Sequence, residues 1–170
     1  MGPFAEFTKY AAEVGARLSQ QPLQMTYTAH LGASQAELFE YVSDTDRLNE
    51  WIPGARRTWS DDAQAELPKQ VGSVRMIDAG IGKPTREIVR AYEPPRVLAY
   101  SATDDSLFGL FTDHLSVVGC EPHPLGGTVF CWLAFGRPAD NPVKRWVGKR
   151  VFHMALGGGT KALKRVFPKP

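Results

Sequence analysis

The chain has 170 residues, 43% of them hydrophobic and 22% charged, with a net charge of +2. A globular domain of that length buries roughly 70% of the surface its unfolded chain exposes, so it needs no metal or disulfide to fold. Two cysteines, Cys120 and Cys131, make no disulfide framework, and no stretch approaches the roughly 18 consecutive apolar residues of a membrane-spanning helix. The charge is uneven. Residues 1–136 hold 11 basic and 17 acidic side chains, whereas residues 137–170 hold nine basic ones and only Asp140. This basic end reads either as a solvated helix face or as a contact for an anion: a carboxylate or phosphate ligand, an acidic partner or a lipid surface.

Residues 4–20 place Phe4, Phe7, Ala11, Val14 and Leu18 at helical spacing, which predicts an amphipathic helix ending before Pro22. Residues 24–31 alternate polar and apolar side chains and predict a strand. Ser34 with Glu37 three residues on is a capping box for QAELFEYV, and Asp44 can cap a second short helix through Trp51. Six strands follow, over Arg56–Ser60, Gly72–Asp78, Thr85–Tyr92, Arg96–Thr103, Phe111–Gly119 and Thr128–Phe135. Turn residues separate them, among them Gly80 to Pro84, Glu93-Pro94-Pro95, Asp104-Asp105 and Pro122 to Gly127. Strands joined by such short connections form an antiparallel meander. A long helix opens at Asn141-Pro142, with Val143, Trp146, Val147, Val151, Met154 and Ala155 as its predicted inward stripe. Gly157-Gly158-Gly159 either breaks this helix or clears side chains from a cavity it crosses; the apolar pattern resumes through Phe167.

Nucleotide motifs fail. Gly80-Ile81-Gly82-Lys83 is followed by Pro84 where a phosphate loop needs Ser or Thr, and Gly157 to Lys161 has the wrong spacing. Asp113-His114 near Ser116 makes no catalytic triad, because neighbours along a strand point to opposite faces. The four histidines and two cysteines show no zinc spacing. No cofactor, metal or nucleic acid is therefore expected. Met1-Gly2 lacks the Ser or Thr of a myristoylation signal, Glu6 standing in its place, and Met1 to Tyr10 has no apolar signal-peptide core, so a cytoplasmic location is expected.

The order of helix, strand, two short helices, six strands and long helix resembles the START/Bet v 1-like (SRPBCC) superfamily, in its polyketide cyclase/dehydrase and lipid-transport-like branch. The resemblance rests on Ala33–Val42 with LNEWIPG, on EIVRAYEPPRVLAY from Glu87 to Tyr100, on GGTVFCWLA from Gly126 to Ala134, and on the terminal helix. It implies an α+β helix-grip fold: a curved antiparallel sheet of about seven strands wrapped around the C-terminal helix, with residues 1–22 an extra helical extension and 23–170 the ligand-binding domain. It also places Phe130 and Trp132 on the concave, cavity side, and Trp51 near the cavity mouth. The opposite face of that strand, Val129, Cys131, Leu133 and Phe135, is apolar and needs cover, from the extension or from a second subunit.

The cavity candidates are Trp51, Arg75, Glu87, Tyr100, His114, Phe130, Trp132, Met154 and Gly158. Alternation does not fix the faces of Arg75, Glu87, Arg90 and His114. Three functions compete. The first expectation is binding or carriage of a hydrophobic small molecule, such as a lipid, polyketide or isoprenoid, because no paired carboxylates or clear acid/base group stand out. The alternatives are a polyketide cyclase/aromatase or dehydratase, and a partner-regulating module. Convergent polar groups in the cavity would favour the enzyme, a dry cavity the carrier and a filled one the module. The protein is expected as a monomer or homodimer, with transient membrane-surface contact left open.

Overall fold

A computed structural model describes residues 4–61, 70–103 and 109–170; the turn expected at Asp104-Asp105 and the Met1-Gly2 start lie outside the described residues. Seven strands form one antiparallel sheet: β1 (Leu23–Leu31), β2 (Arg57–Asp61), β3 (Val74–Asp78), β4 (Thr85–Glu93), β5 (Val97–Ala102), β6 (Phe111–Pro122) and β7 (Thr128–Pro138). Their order across the sheet is β1-β7-β6-β5-β4-β3-β2. Thus β2 to β7 run as a meander, and β1 closes against β7. The expected α+β helix-grip architecture is present.

Helix α1 (Ala5–Leu18) lies on the outer face of the sheet. Its Ala11 and Val14 are buried with Val97, Leu115, Val117, Leu133 and Phe135. The extension itself therefore covers the apolar outer face of β7. Tyr10 adds a polar clasp: its hydroxyl donates to Glu93 Oε2, and the Arg96 guanidinium stands 3.7 Å from the ring centre.

On the inner side, α2 (Gln35–Ser43), a 3-10 turn (Thr45–Arg47) and α3 (Leu48–Trp51) link β1 to β2. The caps fall where the sequence puts them. Ser34 Oγ accepts from the Glu37 N–H, and Asp44 Oδ1 accepts from the Asp46 N–H. Helix α4 (Pro142–Val166) crosses the concave face, its first turn capped by Asn141 Oδ1 accepting from Val143 and Lys144. The two cysteines are buried on opposite faces, Cys120 in the inner core and Cys131 in the outer one.

Two expectations about α4 are corrected. The glycine triplet does not break it; the helix runs unbroken through Gly157, Gly158 and Gly159, none of which has positive φ. The predicted inward stripe is also only partly inward: Val151 and Ala155 reach the cleft between helix and sheet, but most of the rest of the stripe is rotated away. Val143, Trp146 and Met154 are 69%, 59% and 68% exposed, so Met154 does not lie between helix and sheet. The buried face is instead Gly148, Phe152, Leu156, Gly159, Thr160 and Leu163. Close approach selects this face. A Cβ at Gly148 would stand 3.2 Å from the Leu110 carbonyl oxygen, and one at Gly159 would stand 2.8 Å from the Trp132 ring. Glycines carry no hydrophobic weight in a periodicity count, yet they mark the side that touches.

Two outcomes follow. Replacing Gly159 with Ala should lower stability by up to about 2 kcal/mol, the roughly 1–3 kcal/mol strain of overpacking being offset by the roughly 1 kcal/mol that Ala gains over Gly within a helix. That corresponds to a fall in Tm of a few degrees, read by thermal denaturation. Deleting residues 1–20 should uncover Leu115, Val117, Leu133 and Phe135 and drive the protein into larger species, read by light scattering.

Candidate functional site

Antiparallel register carries a diagonal of polar side chains across the concave face. Arg75 on β3 is paired with Glu87 on β4, Glu87 with Ala102 on β5, and Tyr100 on β5 with Ser116 on β6. An irregularity in β6 sets the phase of His114. Between Thr112 and Leu115 that strand holds one residue more than its partner, and Asp113 there has φ of 52°. A bulge reverses the side-chain alternation. Phe111 therefore faces inward, and so do His114 and Ser116, while Leu115 joins the outer core. Asp113 is exposed and accepts from Gln21 Nε2, so it forms no triad with His114 and Ser116.

These groups meet in a cleft of about 190 Å³ between the sheet and α4. Its polar wall is Glu87, Tyr100, His114 and Ser116; Ile77, Trp132, Phe152, Ala155 and Leu156 supply much of its apolar wall, and Ile52, Pro53 and Val151 complete its sides. Wider hollows of about 470 and 550 Å³ lie at the surface beside Phe39 and Tyr92, and beside Gln21 and Arg90. Neither gathers the buried polar diagonal. His114 stands in the wall between the cleft and the second hollow.

The charged pair and the histidine are each held in place. Arg75 Nη2 donates to Glu87 Oε2 at 2.6 Å, with both side chains buried, and the guanidinium sits 4.1 Å from the Tyr100 ring centre. Burial pushes the Glu87 carboxyl up, and the Arg75 charge opposes that shift. Burial, with Glu87 nearby, also raises the Tyr100 phenol, so it remains a donor at neutral pH. His114 Nδ1 accepts from the Ala102 N–H at 3.2 Å. The ring proton therefore resides on Nε2, 3.1 Å from Ser116 Oγ. Burial lowers the His114 pKa to about 4, so the ring is neutral. Among the described residues the Trp51 indole nitrogen is buried without a hydrogen-bond partner; the Trp132 N–H makes no bond of full geometry but lies close enough to the Tyr100 hydroxyl to oppose the rise in its pKa.

Of the sequence candidates, Glu87, Tyr100, His114 and Trp132 line the cleft. Arg75 lies one layer behind, holding Glu87. Trp51 packs edge-on against Trp132 at 5.2 Å, and Phe130 is core beside them. Gly158 faces Pro53 instead of open space, its added Cβ falling 2.6 Å from Pro53 Cγ. Met154 is on the far side of α4. Sequence reasoning missed Ser116 and Phe152 as lining residues, while Ala155 stood in the predicted stripe of α4. Ser116, two residues from His114 on one strand face, was within reach of period-2 reasoning.

The chain belongs to the family described as polyketide cyclase / dehydrase and lipid transport, whose model matches residues 22–167. No curated protein matches it. Among solved structures it is similar to XoxI of Bacillus cereus, at 16% identity and a TM-score of 0.67 over 84% of this chain and 94% of that one. It is similar also to norcoclaurine synthase of Thalictrum bound to a transition-state analogue, at 11% identity and a TM-score of 0.64 over 87% and 96%. A third is the di-domain ARO/CYC StfQ of steffimycin biosynthesis, at 16% identity and a TM-score of 0.66 over 92% of this chain and 54% of that one. At these identities the likeness is one of fold.

The neutral His114 makes stability depend on pH. Its pKa is about 4 when folded against 6.5 for a histidine in water, so between those values the unfolded chain binds the extra proton. Its contribution is complete above pH 6.5 and declines as pH falls toward 4, by about 1.4 kcal/mol per unit. Glu87, raised on folding, acts with the opposite sign, losing stability as pH rises through its folded value. The difference between the native protein and His114→Gln in denaturant titrations should isolate the His114 slope; parallel curves across this range would show that His114 is not buried neutral.

Proposed function

We propose that the protein binds an apolar small molecule, about the size of one aromatic ring, that carries an oxygen acceptor. The observation that carries this reading is the cleft itself: a mostly apolar hollow with a donor at one wall. Apolar cavities near 150 Å³ hold benzene, and sites for drug-sized ligands run from about 300 to 1,000 Å³. A volume of about 190 Å³ suits the smaller class; a longer ligand requires α4 to move outward. The Tyr100 hydroxyl keeps its proton at neutral pH and is the donor of this wall, with the Ser116 hydroxyl and the Trp132 N–H directed at the phenol oxygen. A carbonyl or ether oxygen accepts from such a hydroxyl.

Carriage or sensing is favoured over turnover because every acid/base candidate is already engaged. Glu87 is neutralised by Arg75, and both ring nitrogens of His114 are in hydrogen bonds. A general base must be free to take a proton from the ligand. The cyclase or dehydratase reading draws on the convergence of polar groups in the cleft and on family membership. It requires His114 to exchange Ser116 for the ligand.

Filling the cleft tests the proposal. Ala155→Phe, at a half-buried lining position, should reduce uptake of an aromatic ketone probe at least tenfold while leaving the fold intact by circular dichroism. Tyr100→Phe should weaken the ketone but not its hydrocarbon analogue. Equal affinity of native protein and Ala155→Phe would remove the cleft as the binding site. Conversion of a polyketide-like ketone by native protein, lost in His114→Gln, would favour the enzyme.

A further inference from the structure

The face of α4 turned away from the sheet is a second apolar surface, and it is basic. Val143, Trp146, Val151 and Met154 are all exposed along it, spanning about 17 Å of helix axis at 1.5 Å per residue. Arg150 rises through the middle of this stripe, its guanidinium 4.7 Å from the centre of the Trp146 ring. About 18 residues make five helical turns, so Lys161, Lys164 and Arg165 continue the side that begins with Val143, Trp146 and Val147. Among the described residues none of these cations, nor Lys149, is in an ion pair with a carboxylate. The segment 137–170 carries nine basic residues against one acidic.

We propose that this face of α4 docks on an anionic lipid bilayer, lying in the interface without crossing it. Interfacial helices combine an apolar stripe containing Trp with flanking Lys and Arg, and their affinity adds buried apolar area to attraction for anionic headgroups. No helix of the described residues is long and apolar enough to span. A nucleic acid would satisfy the cations but leave Val143 and Met154 in water. An acidic protein would need a groove shaped to a convex ridge, whereas a fluid interface moulds to it. Val151 belongs both to this stripe and to the lining of the cleft, so docking would set the cleft's rim against the membrane. The proposal does not depend on what the cleft binds.

Flotation with vesicles tests it. The full chain should float with vesicles of phosphatidylcholine mixed with phosphatidylglycerol, far less with phosphatidylcholine alone, and progressively less as salt is added. The variant Trp146→Ser/Met154→Ser, altered only at exposed positions, should bind at least tenfold more weakly with unchanged Tm and unchanged probe uptake in the cleft. Lys149→Gln/Arg150→Gln should lose about 25-fold, from roughly fivefold per charge. No preference for anionic over neutral vesicles, or flotation of the Trp146/Met154 variant equal to native, would overturn the proposal and return this face to a protein partner or to solvent. Failure of probe binding in the native protein, with flotation intact, would count against the cleft reading alone.

Discussion

Gly148 and Gly159 let the backbone of α4 come down onto the Phe111 and Trp132 rings, and that approach sets the rotation of the helix about its own axis. With those two glycines inward, Phe152, Leu156 and Leu163 must be inward too, being at helical spacing from them. The same rotation leaves Trp146 and Met154 outward. It also determines where the helix stands off the sheet. Between Gly148 and Gly159 the side chains turned to the sheet are Phe152, Ala155 and Leu156, and the space between them and the polar diagonal is the cleft. Contact at two points thus produces both a closed core at the ends and a hollow between them.

The polar diagonal is expensive to bury, and its composition reflects that. A lone carboxylate or guanidinium inside would cost several kcal/mol; Arg75 and Glu87 sit opposite one another in register, so neither is alone. Tyr100 contributes both a face to the guanidinium and a hydroxyl to the cleft wall. His114 enters as the neutral ring, oriented by a backbone N–H of the neighbouring strand. What reaches the cleft is therefore a wall of neutral groups and one carboxylate whose charge Arg75 compensates from behind, an environment that orients a dipole and has little attraction for a free ion.

Much of the fold was legible in the sequence because its signals are local. Ser34 and Asn141 cap where they stand, Gly and Pro mark the turns, and the doubly apolar β7 announces a covered outer face that α1 fills. The face of α4 was not legible. Counting apolar residues ranks Val143, Trp146 and Met154 above Gly148 and Gly159, whereas packing rewards the side that comes closest. The phase of β6 was hidden for a different reason. One extra residue near Asp113 reverses the alternation, and a bulge has no obligatory residue type to betray it. Hence His114 could be named as a candidate but not placed, and Ser116 entered only as part of a triad that the strand does not form.

The two cysteines offer an experimental consequence. Burial raises Cys131 to about 12 and Cys120 well above the usual thiol range, and both side chains are sealed from solvent on opposite faces of the sheet. The thiolate is the reactive species, so neither should react with a maleimide while the protein is folded. The native molecule thus behaves chemically as a cysteine-free background. A single cysteine placed at an exposed site such as Lys161 would be its one addressable handle, ready for a dye or spin label without removing either natural thiol.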